Sequence, residues 1–133
     1  MKYEILEHKA DLKIRAFAKE KSELFLNMLL AMSESQKAEV LPEKVKKEIE
    51  IKSPDLSALL VDFLSEILYL SQTNKEVYYK VEFSKFEDFG LKGKLFGQKV
   101  KRFGEDIKAV TYHELDIRQR EDGSWEATVL FDI

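Results

Sequence analysis

The 133-residue chain is read as an α+β single domain, a mainly antiparallel sheet with two principal helices. Three observations predict this class. Most of the chain alternates apolar and polar residues with period two, the signature of half-buried strands. Two segments instead carry apolar residues three and four positions apart, as amphipathic helices do. The helical segments come early and a run of strand segments follows them, an order that favours antiparallel sheet over a regular parallel α/β fold. With 44% apolar and 35% charged residues the composition is that of an ordinary globular domain. No repeat, low-complexity stretch or long linker divides residues 1–133.

Tyr3 to Leu6 predicts the first strand, and Leu12, Ile14 and Ala16 predict a second, directly after the acidic Asp11. Leu24, Phe25, Met28, Leu29 and Met32 recur at helical spacing, with Ser22 placed as an N-cap. Ser33 to Lys47 is rich in charge and contains Pro42, so it reads as a connecting loop. It runs into a strand in which Val45, Lys47, Ile49 and Ile51 oppose Lys46, Glu48, Glu50 and Lys52. Leu59, Leu60, Phe63, Leu64, Ile67 and Leu68 form the broad stripe of the second helix. Ser53-Pro54-Asp55 opens that helix, capped either by Ser53 with Pro54 in the first turn or by Asp55. Val77, Tyr79, Val81 and Phe83 oppose Tyr78, Lys80 and Glu82 in a further strand. Asp122-Gly123 then joins a strand over Ala109 to Arg118 to one carrying Trp125, Ala127, Val129 and Phe131, a hairpin signature.

The composition excludes several classes. Without cysteine there is no disulfide framework and no thiolate metal site. Twenty-two basic against 25 acidic residues give −3, too near neutral to imply a polyanionic partner by bulk charge. Leu56 to Leu70 is interrupted by Ser57, Asp62, Ser65 and Glu66 and falls short of the roughly 20 apolar residues a spanning helix needs. The opening residues lack the apolar centre of a signal peptide, so a cytoplasmic protein without membrane association is expected. Glycine-rich phosphate loops, nucleophile elbows and paired-histidine zinc motifs are missing from the sequence. With His8 and His113 as the only histidines, the remaining metal ligands are carboxylates and backbone oxygens, which suit calcium, magnesium or manganese.

Four groups of residues could carry chemistry, each with a plainer alternative. His8, near Asp11 between two strands, reads as a site residue or as a turn histidine bonding nearby backbone. His113 reads as a site residue or as a member of the half-buried face it shares with Leu115 and Ile117. Either histidine could serve as a general base beside Asp11 in a metal-dependent hydrolase. Asp132 and the carboxylate of Ile133 bring two negative groups together, which suits a cation between them; the alternative is a frayed, solvated tail. Lys92, Lys94, Lys99, Lys101 and Arg102, interleaved with Phe96 and Phe103, form either a surface for stacking bases and pairing phosphates or a solvated, lysine-guarded sheet face.

In order, Tyr3-Glu4, His8-x-Ala10-Asp11, Leu59-Leu60-Val61-Asp62-Phe63-Leu64-Ser65-Glu66-Ile67-Leu68, Ile107-Lys108-Ala109-Val110-Thr111-Tyr112-His113 and Asp132-Ile133 resemble the archease family over essentially the whole chain. The sequence departs from the family's usual His-Thr-Ala-Asp at Lys9, from its following Ile-Gly-Ile strand at Lys13, and from its second helix at Phe63 and Ser65. The resemblance implies a divalent-metal site (Ca, Mg or Mn) built from Asp11, Asp132 and the terminal Ile133. It also implies an activator that is not itself an enzyme. Its partner would be an RtcB-type RNA ligase of tRNA splicing and RNA repair, whose guanylylation and repeated turnover it promotes. The ligase consumes the GTP, and RNA is met through the ligase. The alternative function is a small RNA-binding module using the Lys92–Arg102 surface.

Overall fold

Two antiparallel sheets enclose two helices in the computed structural model, which describes residues 1–7 and 11–133. The elements follow in chain order as β1 (Tyr3–Glu7), β2 (Asp11–Ala18), α1 (Lys21–Ser35), β3 (Ala38–Lys52), α2 (Leu56–Asn74), β4 (Glu76–Glu87), β5 (Gly90–Phe103), β6 (Ala109–Gln119) and β7 (Trp125–Asp132). One sheet has the order β1-β2-β7-β6 and the other β3-β5-β4. The α+β class expected from the periodicity is the class observed. No described helix is long and apolar enough to cross a membrane.

Both helices pack against both sheets, so they fill the space between them. This explains why their apolar stripes are so broad: a helix covered on several sides needs apolar residues on several sides. Leu24, Phe25, Met28, Leu29 and Met32 of α1 meet Leu59, Leu60, Phe63, Leu64 and Ile67 of α2 in one buried cluster, which Ile14, Val129 and Phe131 close from one sheet and Val81, Leu91 and Leu95 from the other. Phe25, Phe63, Phe83 and Phe86 stack through tilted and edge-on contacts at 4.9–5.9 Å between centroids. Asn27, deep on α1, is satisfied by donating to the Phe17 carbonyl at 2.7 Å.

Several local expectations change in the structure. Helix α1 begins at Lys21, so Ser22 lies inside it, and the Ncap position falls to Glu20, whose side chain makes no capping bond. Lys21 is drawn into the helix by its contacts: its ammonium reaches Asp88 at 2.8 Å and lies over the Trp125 ring. The expected loop from Ser33 to Lys47 is instead the last turn of α1 followed by the start of β3 at Ala38. Pro42 is tolerated because β3 is an edge strand and its register shifts between Val40 and Lys44, where no ladder N–H is required. Of the two capping options for α2, Asp55 is the one used, accepting from the Ala58 N–H at 2.8 Å. Ser53 donates to Asp62 at 2.6 Å.

In β4 the strict alternation fails at one point. Tyr78 is fully buried and Tyr79 is exposed, because the strand bulges between Tyr78 and Lys80. Gly97 of β5 permits this: a Cβ there would stand 1.9 Å from the Val77 carbonyl oxygen. Beside the bulge, the Glu76 carboxylate is almost wholly buried. The Tyr78 hydroxyl donates to it at 2.6 Å, and Lys99 and Lys47 approach to 3.0 and 3.9 Å. Burial pushes the Glu76 carboxyl up, but the phenol and the two ammonium groups together outweigh it and hold the group below its ordinary range. Burial and the adjacent carboxylate push the Tyr78 phenol up.

Two predictions follow from this packing. Gly97→Ala should lower stability by roughly 3 kcal/mol, because backbone must move to admit the methyl group, whereas Gly123→Asn should cost only about 1 kcal/mol, from backbone strain at φ 90° alone, its Cβ meeting open space. Urea midpoints for the two variants check both. For Glu76, a folded pKa below the unfolded value of about 4.3 means stabilisation that is complete above that pH and lost as pH falls through the folded pKa. Glu76→Gln should therefore be less stable than the parent by about 2 kcal/mol at neutral pH, with the gap narrowing below about pH 4. Denaturant titrations at pH 7 and pH 3 test the convergence.

Candidate functional site

Strands β2 and β7 pair antiparallel over their whole lengths. Leu12 faces Phe131, Ile14 faces Val129 and Ala16 faces Ala127, and all six are buried on the helix side. Period two then fixes the residues between them on the outer side: Asp11 opposite Asp132, Lys13 opposite Leu130, Arg15 opposite Thr128 and Phe17 opposite Glu126. Residues directly opposed in this way have Cβ atoms about 4.5–5.5 Å apart. The two acidic residues of the opening and closing segments are thus immediate neighbours on one face.

The neighbourhood of Asp132 is held from three directions. Its own carbonyl accepts the Lys108 N–H at 2.8 Å, and Ala109 lies opposite it on β6. Gln72 of α2 donates to the Ile107 carbonyl at 2.6 Å, which ties the segment before β6 to the helix layer. Ile133 packs against the core, so the segment is an ordered strand end and not a frayed tail.

The cationic side chains of β2 are committed elsewhere. Lys13 reaches Glu114 at 3.5 Å, and Arg15 approaches Glu4 at 3.7 Å and Glu126 at 3.9 Å. At 3.9 Å the Arg15 Nε makes an ion pair but no hydrogen bond, and that nitrogen is buried without a partner. Asp132 is exposed and Asp11 half-buried. Their carboxylate oxygens, like main-chain oxygen at Ile133, are hard donors of the type calcium, magnesium and manganese accept. Among the described residues no three His, Cys, Asp or Glu side chains gather into a metal-holding group. Two carboxylates therefore leave most coordination positions to main chain, water or another molecule, and the donor chemistry fits a shared ion better than an enclosed one.

The other candidates separate from this pair. His8 lies outside the described residues, as do Lys9 and Ala10. His113 does not share the half-buried face of Leu115 and Ile117 as one of the two readings had it; it is exposed. The reason is a large bulge: from Val110 to Ile117, β6 takes seven steps while its partner takes four, from Phe131 to Ala127. Three extra residues swing Tyr112 and His113 outward. A trace of this was present in the sequence, since the core-facing positions change parity between Val110 and Leu115. The basic run of β5 is matched by carboxylates: Lys92 with Glu50 at 3.5 Å, Lys99 with Glu76 at 3.0 Å, and Lys101 and Arg102 with Glu39 at 3.8 and 2.8 Å. Lys94 lies in register between Glu48 and Glu82, and Phe96 is covered by the Lys80 ammonium. This face has the alternating charge of a solvated sheet surface and lacks the excess of cations that phosphate binding draws on.

A β2–β7 acidic pair at the centre of a four-stranded sheet, on a two-sheet, two-helix frame, defines a small α+β fold. The family model that matches residues 3–133 is that of the archease protein family (MTH1598/TM1083). The chain belongs to the archease family. It is 36% identical to the archease of Methanosarcina mazei over 99% of this chain and 96% of that one. Its fold is similar to that of Methanobacterium thermoautotrophicum protein 1598, with TM-score 0.72, 29% identity and 98% of each chain covered. It is also similar in fold to a Thermotoga maritima archease described as a possible chaperone, with TM-score 0.69, 22% identity and coverage of 96% of this chain and 94% of that one.

Two like charges placed directly opposite each other destabilise a sheet slightly. In a chelating buffer, Asp11→Asn and Asp132→Asn should each leave stability unchanged or raise it by up to about 0.5 kcal/mol. The double variant should gain no more than the better single one, because the repulsion is removed once. Thermal melts of the three variants beside the parent provide the check.

Proposed function

We propose that this archease acts as an activator of an RtcB-type RNA ligase in tRNA splicing and RNA repair, promoting guanylylation and multiple turnover of the ligase. In this reading the protein makes and breaks no bond itself. The ligase supplies the GTP chemistry, RNA is engaged through the ligase, and the two proteins meet in the cytoplasm. The observation that carries the proposal is the register placing Asp11 opposite Asp132 on the outer face, in a chain belonging to this family from residue 3 to residue 133.

Asp11 and Asp132 would hold a divalent cation (calcium, magnesium or manganese) through their carboxylate oxygens, with Ile133 contributing main-chain oxygen. When bound, such an ion supplies charge neutralisation for a phosphate chain and open positions for a partner's ligands. The chain's own residues set the conditions for that. The Lys108 N–H, donated to the Asp132 carbonyl, keeps the backbone of Asp132 in the ladder. Lys13, on the neighbouring row, engages its ammonium with the Glu114 carboxylate at 3.5 Å.

The test combines the protein with its cognate ligase, GTP and manganese and follows ligase–GMP formation under multiple-turnover conditions. The parent should accelerate it, and Asp132→Ala should need ~10–100-fold more manganese to do the same. Absence of acceleration by the parent, or undiminished acceleration by Asp132→Ala, overturns the proposal.

A further inference from the structure

Among the described residues, three non-glycine residues adopt left-handed backbone: Lys37, Lys75 and Glu114, with φ of 48°, 53° and 55°. Lys75 directly follows α2, and Lys37 follows α1 after the cap residue Gln36; in both places a left-handed residue ends the helix in the usual way. Glu114 has no helix to end. It stands in the middle of β6, within the three-residue excess between Thr111 and Asp116. A strained, register-breaking insertion in a strand persists only where its surroundings hold it, and such features concentrate at contact sites.

Its surroundings do hold it. The Thr111 hydroxyl donates to the Leu130 carbonyl at 2.9 Å, and the His113 N–H donates back to that hydroxyl oxygen at 3.3 Å. Glu114 crosses the outer face to Lys13 at 3.5 Å, and Leu130, which points to that face, is 8% exposed. The groups so braced face solvent: Tyr112 is 60% exposed and His113 is exposed beside it. The row Lys13–Leu130–Thr111 is next to the row Asp11–Asp132–Ala109 on the same face, a separation of roughly 7 Å at two residues of strand rise.

We propose that the β6 bulge at Tyr112–Glu114 is a preformed anchor that holds the partner ligase's protein surface against the acidic pair, with the Tyr112 ring and the His113 imidazole as its contact groups. The proposal rests on the ligase reading above and names the surface that reading leaves open. An amphipathic aromatic side chain on a rigid support is the type of group that concentrates binding energy in protein interfaces. Charge selects protein over nucleic acid. A nucleic-acid backbone brought to Tyr112 would run alongside the carboxylates of Asp11 and Asp132, whose charge one divalent ion only balances without leaving a net positive surface, whereas a basic or metal-bearing protein surface is complementary to them.

The experiment measures ligase–GMP formation against concentration of the activator for the parent, Tyr112→Ala, His113→Ala and Tyr69→Ala, the last an equally exposed tyrosine on α2. Melting temperatures establish that all four are folded. Tyr112→Ala should raise the half-saturating concentration about 10-fold or more with the plateau rate retained; His113→Ala should raise it less, and Tyr69→Ala not at all. Half-saturation unchanged in both bulge variants overturns this inference and leaves the activator reading standing. A shift as large in Tyr69→Ala as in Tyr112→Ala overturns it too, because the effect would not be local. RNA binding without ligase that Tyr112→Ala abolishes overturns the choice of a protein partner. Inactivity of the parent overturns both proposals.

Discussion

The register between β2 and β7 is the constraint from which the outer face follows. If β2 slipped by one residue against β7, Leu12, Ile14 and Ala16 would turn toward solvent and Asp11, Lys13 and Arg15 would come against the helices. Burying charges there without partners would cost several kcal/mol each, on the order of the whole stability of a domain this size. The apolar partners on the inner side thus hold the acidic pair together on the outer side. Asp11 and Asp132 need no attraction between them to be neighbours, and their mutual repulsion is small beside the burial that opposes it.

The two sheets share no strand, so the helices must carry rigidity from one to the other. Side chains reinforce that layer at several points. Lys21, at the start of α1, reaches Asp88 in the turn between β4 and β5 and also lies over Trp125 of β7. Ser33 near the end of α1 donates to the Tyr78 carbonyl of β4 at 2.5 Å. On α2, Ser71 joins Gln36 and the backbone of Glu76, while Gln72 bonds the Ile107 carbonyl beside Lys108. That last contact matters most for the acidic face, since the next N–H along the chain bonds the Asp132 carbonyl. The acidic face is therefore braced from the core side as well as along the strands.

How much of this was legible in the sequence depends on whether the deciding interaction was local. Period two and helical spacing are local, and they place β1, β2, the second half of β3, α2, β7 and the Asp122-Gly123 hairpin where the structure has them. The misplacements arose where a distant contact overrode a local preference. Ser22 is a better cap than Glu20 by residue type, but Lys21 has partners on β7 and in the β4–β5 turn that favour an earlier helix start. Pro42 signals a loop unless the strand is known to lie on an edge, and edge position is a property of the assembled sheet. Tyr78 and Tyr79 exchange their expected faces because Gly97, nearly twenty positions on, leaves room for a bulge. Asp11 and Asp132 were joined by family resemblance, since no spacing rule spans so many residues; the ladder accounts for their proximity.

The β6 bulge and the acidic pair make opposite uses of the same strand. At Ala109 and Asp132 the ladder is regular, and regularity holds the carboxylates side by side. Two residues further on, past Thr111, the ladder is interrupted, and the interruption frees Tyr112 and His113 from the alternation that would have turned one of them inward. A flexible loop could present the same side chains only by ordering them on contact, at a cost of about 1–2 kcal/mol per residue fixed. Here the Glu114–Lys13 pair, the Thr111 hydroxyl and the covered Leu130 have already ordered them. Because Lys13 and Leu130 belong to the very strands that oppose Asp11 and Asp132, the bulge and the acidic pair are fixed to one rigid ladder. A partner that contacts one is placed at a set distance from the other, and that geometric coupling would make the proposed shared ion and docking anchor parts of a single surface.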